Sequence, residues 1–214
     1  MPTGLNYTHS LLFDQKETWM DKETIRTYNS EAESIAQLHS ILIPYRIYEL
    51  VEQYFIKDEA TIDIGCGIGR DTHWLNQKGF PTIGVDASDG MIKQARQRYP
   101  DLAFQLDYLP ILASFENSQF QNILCSAVLM HLTNDLVENA CLRLLHLLKT
   151  NGRLIISIRG TNNQNNRESG KLYESINIES FGCFFEKHDC DILLYESNIE
   201  QKRQLTWHNF VVKK

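Results

Sequence analysis

The first chemistry visible in the chain lies in ten residues, Thr61-Ile62-Asp63-Ile64-Gly65-Cys66-Gly67-Ile68-Gly69-Arg70. An apolar, β-branched run enters three alternating glycines and leaves in a helical pattern. This is the strand, turn and helix of a nucleotide-binding βαβ unit. Glycines at such a turn let backbone come where a Cβ would collide, either with the turn or with a ligand lying over it. About twenty residues further on, at the spacing expected of a second strand, Ile83-Gly84-Val85-Asp86 ends in a carboxylate. An acid in that place can accept hydrogen bonds from both hydroxyls of a ribose. Together the two stretches predict a ligand that carries a ribose.

The glycine spacing narrows the choice. A dinucleotide site wants G-x-G-x-x-G, with the third glycine bringing the helix close to the strand. Here the third glycine, Gly69, comes one place early, and Arg70 occupies the usual position. The G-x-G-x-G pattern, preceded by Asp63 and followed by Asp86, resembles the first motif of the class I S-adenosylmethionine (SAM) dependent methyltransferases. That resemblance covers residues 58–160 well and the rest by layout. It implies SAM as cofactor, with S-adenosyl-L-homocysteine as product. It also implies that Gly65, Cys66 and Gly67 pass under the methionine part and that Asp86 holds the ribose. Ala87 and Met91 would line the adenine, Leu106 and Asp107 would flank it, and Ser126 and Ala127 would meet the sulfonium region through backbone atoms. Asp63 would order the glycine loop or approach the amino end of SAM; it reads equally as an acid satisfying loop amides. Met91 reads also as plain core, and Asp107 as a turn-forming residue.

On the acceptor side the candidates are His131, Tyr28 and Arg159, with Arg26, Arg46, Tyr108 and His208 behind them. A histidine of near-neutral pKa could take a proton from the acceptor. Relatives share the Val-Leu-x-His-Leu run without sharing an acceptor, however, so the expectation for His131 is a structural role. Cys125-Ser126-Ala127-Val128 replaces the Asn-Pro-Pro-Tyr tetrad of DNA and protein-glutamine N-methyltransferases, and no Pro-Cys nucleophile of the cytosine-C5 type is present. The expected function is methyl transfer to a small molecule by in-line displacement. A non-catalytic SAM-binding partner protein and RNA or protein methylation are the alternatives.

The elements that must position these residues follow from periodicity. One helix is expected from Asp21 to about Leu38-His39, then a break at Ser40–Pro44 and a second helix from Pro44 to Phe55. Residues 1–20 are irregular, with Leu11, Leu12, Phe13 and Trp19 as apolar anchors. Helices over Arg70–Lys78, from Ser88 to before Pro100, over Asn134–Lys149 and near Ile178–Lys187 alternate with strands at Thr61–Ile64, Phe80–Asp86, Leu102–Leu106, Phe120–Ser126 and Arg153–Ile158. The polar run Gly160–Arg167 reads as a flexible loop. Ile192–Tyr195 and Leu205–Val212 lack an intervening helix and so form an antiparallel hairpin. The expectation is an α/β fold: a seven-stranded, mostly parallel Rossmann-like sheet with a C-terminal antiparallel hairpin and an N-terminal helical cap. Residues 1–214 make a single domain, with 1–57 as a mobile lid and 58–214 as the SAM-binding core.

Composition bounds the remainder. The 214 residues are 43% hydrophobic and 22% charged, as in an ordinary globular domain. A net charge of −6 disfavours nucleic-acid partners, since binding must neutralise phosphates. Five cysteines and seven histidines show no metal-site spacing, so no metal is expected, and the cysteines read as small buried hydrophobes. No membrane-length apolar run or signal peptide is legible, which makes a cytoplasmic location the expectation. Oligomeric state is not legible.

Overall fold

A computed structural model of the chain describes residues 21–161, 166–201 and 203–214. The expected apolar anchors Leu11, Leu12, Phe13 and Trp19 lie outside these residues. Seven strands form one sheet in the order β3-β2-β1-β4-β5-β9-β8. They are β1 (Thr61–Ile64), β2 (Thr82–Asp86), β3 (Phe104–Leu106), β4 (Phe120–Ser126), β5 (Leu148–Arg159), β8 (Asp191–Glu200) and β9 (Leu205–Lys213). The first five run parallel, whereas β9 is antiparallel to both β5 and β8. From β1 the chain winds outward to β2 and β3, then returns to the other side of β1 with β4. The β1–β4 boundary is therefore the place where the winding reverses, and in such sheets the crevice at the carboxyl ends there receives ligands.

The helices that cover this sheet form where apolar residues recur at helical spacing. They are α3 (Tyr45–Tyr54), α4 (Arg70–Gln77), α5 (Asp89–Arg98), α6 (Asn134–Leu147) and α7 (Ile178–Lys187). The Ser88 hydroxyl caps α5 by accepting from Met91 N, and Asn177 caps α7 by accepting from Ser180 N. On α6, Leu136, Val137, Ala140, Cys141 and Leu144 face a core that includes Ile62, Ile123, Leu154 and Ile156.

Several boundaries differ from expectation. The leader helix is two helices, α1 (Lys22–Ser30) and α2 (Ala32–Ile41), turned at Glu31. The turn has a packing reason: Asn29 Oδ1 accepts from both Ser88 Oγ and Gly90 N at the start of α5, while Ala32, Ile35 and Ala36 pack on Met91. Leu38 is correspondingly exposed rather than buried. Leu148 ends α6 and opens β5, paired with Phe120, because the ladder slips between Phe120 and Asn122 and takes in the turn at Asn151-Gly152. At the end of the run read as loop, Asn166–Glu168 (β6) pairs antiparallel with Lys171–Tyr173 (β7), which lies beyond it, in a small separate hairpin. Cys183 is exposed on α7, while the other four cysteines are buried.

The leader is not one unit. Helix α3 belongs to the core, where Ile47, Leu50 and Val51 pack with Leu75, Phe80, Leu124, Ile155 and Val211. Tyr48 stacks on Trp74 at 3.9 Å between ring centres and donates to Asp71 Oδ1 at 2.7 Å. Helices α1 and α2, with the first turn of α3, cover the carboxyl ends of the strands.

Candidate active site

A cavity of about 880 Å³ opens at the carboxyl ends of β1, β2, β4 and β5. Its floor is the glycine loop. Gly65 N and Cys66 N both donate to Val85 O, at 2.7 and 2.9 Å, which ties the loop to β2. Gly65 has φ +72° and its missing Cβ would run into the Val128 side chain, so this glycine serves the packing of two loops. Gly67 differs: at φ +54° a Cβ there would meet nothing nearer than His39 Nδ1 at 3.8 Å. It leaves open a cradle on the cavity side.

Asp86 joins the two halves of this end. Its Oδ2 accepts from Gly67 N at 2.8 Å and its Oδ1 from Ser88 N at 2.8 Å. Among the described residues no cation pairs with it, and burial raises its pKa above the usual carboxylate value despite the backbone amides of Ser88, Gly67 and Ala87. A carboxylate offers about four acceptor positions, so Asp86 keeps acceptor capacity at the cavity it lines. Ala87 and Asp107 stand beside it on the wall. The Asp107 carboxylate accepts from Tyr108 N and Ser114 N, both at 2.8 Å, and so holds the 107–114 loop. Ser126 and Ala127 end β4 at the cavity, with Ala127 at φ +59°.

Met91 and Leu106, expected at the adenine, and Asp63, expected to order the glycine loop or approach the amino end of SAM, do not line the cavity. Asp63 is 2% exposed and accepts from Thr72 Oγ1 at 2.7 Å, tying β1 to α4. Burial and the neighbouring Asp71 carboxylate push its pKa up to about 7. It sits under the loop. Met91 lies beneath α2 in the core, because Ala32, Ile35 and Ala36 cover it. Leu106 points to solvent, since β3 is an edge strand there.

The opposite wall is assembled from distant segments. His131 follows β4 in a single 3₁₀ turn. Its Nδ1 lies 2.6 Å from Leu172 O and its Nε2 3.2 Å from Tyr28 Oη. A carbonyl can only accept, so Nδ1 carries the proton and Nε2 accepts from the tyrosine. Burial lowers the His131 pKa to about 4, which keeps the ring neutral. Leu172 also donates its N–H to Thr24 Oγ1 at 2.8 Å, and Glu174 N donates to Met130 O. The β6–β7 hairpin is thereby fastened to α1 and to the turn after β4. Arg159, at the end of β5, forks onto Glu168 of this hairpin and lies over the Tyr173 ring.

Of the remaining candidates, Tyr108 and Arg46 line the cavity, and Arg26 and His208 do not. Arg46 is engaged at the rim by Glu49 and Glu196. The roof is fixed by Arg70, whose guanidinium donates to His39 O and Leu42 O and pairs with Asp71. Burial, with the Arg70 charge next, lowers the His39 pKa to about 4. Sequence reasoning passed over His39, Arg70, Ser157, Tyr173, Trp207 and Asn209, all of which line the cavity. Only Arg70 carried a signal, as the residue directly after the glycines. The others are brought in by strand pairing and the hairpin.

Comparisons with known proteins agree with this architecture. Residues 62–152 match the family described as "Methyltransferase domain". The ubiquinone biosynthesis O-methyltransferase of Xylella fastidiosa (strain 9a5c) is 29% identical over 125 residues, which is 56% of this chain and 49% of that protein. The chain thus spans about half the length of the curated relatives it matches. A SAM-dependent methyltransferase of Methanosarcina mazei superposes with a TM-score of 0.67 at 16% identity, over 81% of this chain and 98% of that one. The 1,6-didemethyltoxoflavin-N1-methyltransferase of Burkholderia thailandensis, solved with 1,6-didemethyltoxoflavin and S-adenosylhomocysteine, gives 0.63 at 16%, over 100% of this chain and 92% of that one. With the glycine loop, the reversal of winding at β1 and β4 and the closing antiparallel pair, residues 62–152 are similar to that domain family, and the fold is the one found in SAM-dependent methyltransferases of known structure.

Proposed function

We propose that the chain binds SAM on the glycine loop and transfers its methyl group to a small-molecule acceptor. The observation that carries this reading is Asp86, a carboxylate on the cavity wall that is held by the backbone amides of Gly67 and Ser88, pairs with no cation among the described residues, and keeps acceptor capacity for a ligand. Ribose hydroxyls are the donors that suit it. The open space over Gly67 supports backbone running close beneath a ligand. Ala87 and Asp107 would flank the adenine, and Gly65, Cys66, Ser126 and Ala127 the methionine and sulfonium region. Of the readings given for Asp63 and Met91, support beneath the loop and plain core are kept, and Leu106 is reassigned to the surface.

SAM, when bound, supplies an already activated sulfonium methyl. The protein's part is then to hold, orient and exclude water. Alignment alone can be worth effective molarities of ~10⁵–10⁸ M, and an enclosed cavity suits a transition state in which charge disperses. Helices α1 and α2 form the roof, which fits an acceptor that is a small molecule. His131 holds α1, the hairpin and the turn after β4 together; with its ring neutral and both nitrogens engaged, it is a positioning residue. No group of three or more potential metal ligands occurs among the described residues. No described helix is long and apolar enough to cross a membrane. The cysteines are free thiols, as in a reducing compartment, and we place the protein in the cytoplasm.

Titration calorimetry tests the cofactor directly. SAM and S-adenosylhomocysteine should bind and NAD should not. NAD binding more tightly than either would end the reading.

A further inference from the structure

Among the described residues, two buried side-chain polar atoms lack a hydrogen-bond partner: Arg159 Nε and Asn209 Oδ1. A buried polar atom left so forfeits about 1–3 kcal/mol, and native proteins keep few of them. Both residues stand on the cavity wall, and both lie on one ladder. β5 and β9 pair Ser157 with Asn209 and Arg159 with Trp207. Alternation along a strand puts these four side chains on one face. Arg159 and Asn209 are diagonal neighbours on it, about 7–8 Å apart.

Neighbouring groups decide what each orphan needs. Asn209 Nδ2 donates to Glu196 Oε1 at 3.0 Å. A carboxylate only accepts, so the amide nitrogen faces Glu196 and the carbonyl oxygen is left requiring a donor. Arg159 spends Nη1 and Nη2 on Glu168, at 2.8 and 2.6 Å, and its Nε–H requires an acceptor. Glu168 is displaceable, its side chain being 46% exposed. Lys171 and Arg203 join Arg159 around a side chamber of about 430 Å³. Among the described residues that line it, these three cations stand with one carboxylate, Glu168, and Arg203 also pairs with Glu200. The glycine-loop end of the main cavity carries Asp86 and Asp107, with Arg70 there paired to Asp71.

We propose that this β5–β9 face is the acceptor subsite, and that the acceptor bears an anionic oxygen, carboxylate or phosphate, seated on Arg159, with an O–H or N–H donor toward Asn209. The guanidinium fork matches either anion in two parallel hydrogen bonds once Glu168 gives way. Trp207 and Tyr173 supply flat walls for a planar ring between the two groups. The inference rests on the methyltransferase reading for the word acceptor.

The test is an NMR titration of the protein saturated with S-adenosylhomocysteine, using the matched pairs 3-hydroxybenzoate with 3-hydroxybenzamide and phenyl phosphate with phenol. The preferred anion of at least one pair should bind about tenfold or more tightly than its uncharged partner, the worth of a hydrogen bond to a charged group. Which pair shows the larger ratio identifies carboxylate or phosphate. Arg159→Gln should abolish the preference while S-adenosylhomocysteine affinity stays the same. Arg203→Gln, on an exposed turn, should reduce it about two- to fivefold. No preference in either pair, or a preference that survives Arg159→Gln, overturns the proposal. If Arg159→Gln does not fold, an undiminished preference in Arg203→Gln overturns it. Failure of S-adenosylhomocysteine to bind would show separately, in the first titration, and would count against the cofactor reading.

Discussion

The two ends of the cavity are built on different principles. At the nucleoside end, Gly65, Gly67, Asp86, Ala87 and Asp107 fall within residues 65–107, and backbone amides supply the Asp86 and Asp107 partners recorded there. At the acceptor end, Tyr28, His131, Arg159, Tyr173 and Asn209 come from five separate segments and meet through side chains. Backbone geometry is hard to vary one residue at a time, whereas side-chain networks change with each substitution. One end suits a ligand shared by a whole family, and the other a ligand that differs among its members.

Three experiments press on this contrast. The largest effect is expected from Asp86→Asn. The amide keeps the shape but aims an NH₂ at either Gly67 N–H or Ser88 N–H and loses the charge. S-adenosylhomocysteine affinity should fall by about 10- to 150-fold by calorimetry, the worth of 1.5–3 kcal/mol. Unchanged affinity in a folded variant would move the ribose contact elsewhere.

A smaller effect should separate the roof from the core. We propose that the lid is α1 and α2 only, since α3 is packed into the core. At S-adenosylhomocysteine tenfold above its Kd, mass action should slow openings that release the ligand by about tenfold. Hydrogen exchange should therefore slow over residues 22–43 and stay as it was over 45–54. Equal change in both stretches would make the leader one unit after all.

The smallest effect on binding belongs to His131→Gln, whose amide can replace one ring hydrogen bond. S-adenosylhomocysteine affinity should stay within about threefold and turnover should persist. The pH dependence of stability gives a second reading. Burial holds the folded-state pKa at about 4, below the unfolded value of about 6.5. Between pH 6.5 and 4 the unfolded chain therefore binds more protons, and stability, full above 6.5, falls as the pH drops through that window. His39 acts in the same direction. His131→Gln should show a shallower acid limb in denaturant titrations. A variant that folds, binds S-adenosylhomocysteine and is catalytically dead would make His131 a general base.

What was legible in the chain follows the same division. The strands, their mostly parallel sheet with a closing antiparallel pair, and the start of α5 at Ser88 could be read because local spacing and cap chemistry specify them. The break at Glu31 could not: residues 21–39 keep an amphipathic period through it, and only the docking of Asn29 and Ala32 onto α5 turns the chain. The β6–β7 hairpin hid in a polar run because Thr24 and His131, far away in sequence, hold it in place.

By itself the sequence determined the glycine loop, the Asp86 carboxylate and the doubly wound core. Their physical causes act over a few residues: positive φ at the glycines, alternation in strands, caps at helix ends. The tertiary structure alone decided that Asp63 lies under the loop and Met91 in the core. It alone decided that His131 is a neutral tie and that Arg159 and Asn209 share one face. Those outcomes depend on which strands pair and what packs over them, so burial and partners are set by chain segments up to 103 residues apart, a separation that short-range spacing does not encode.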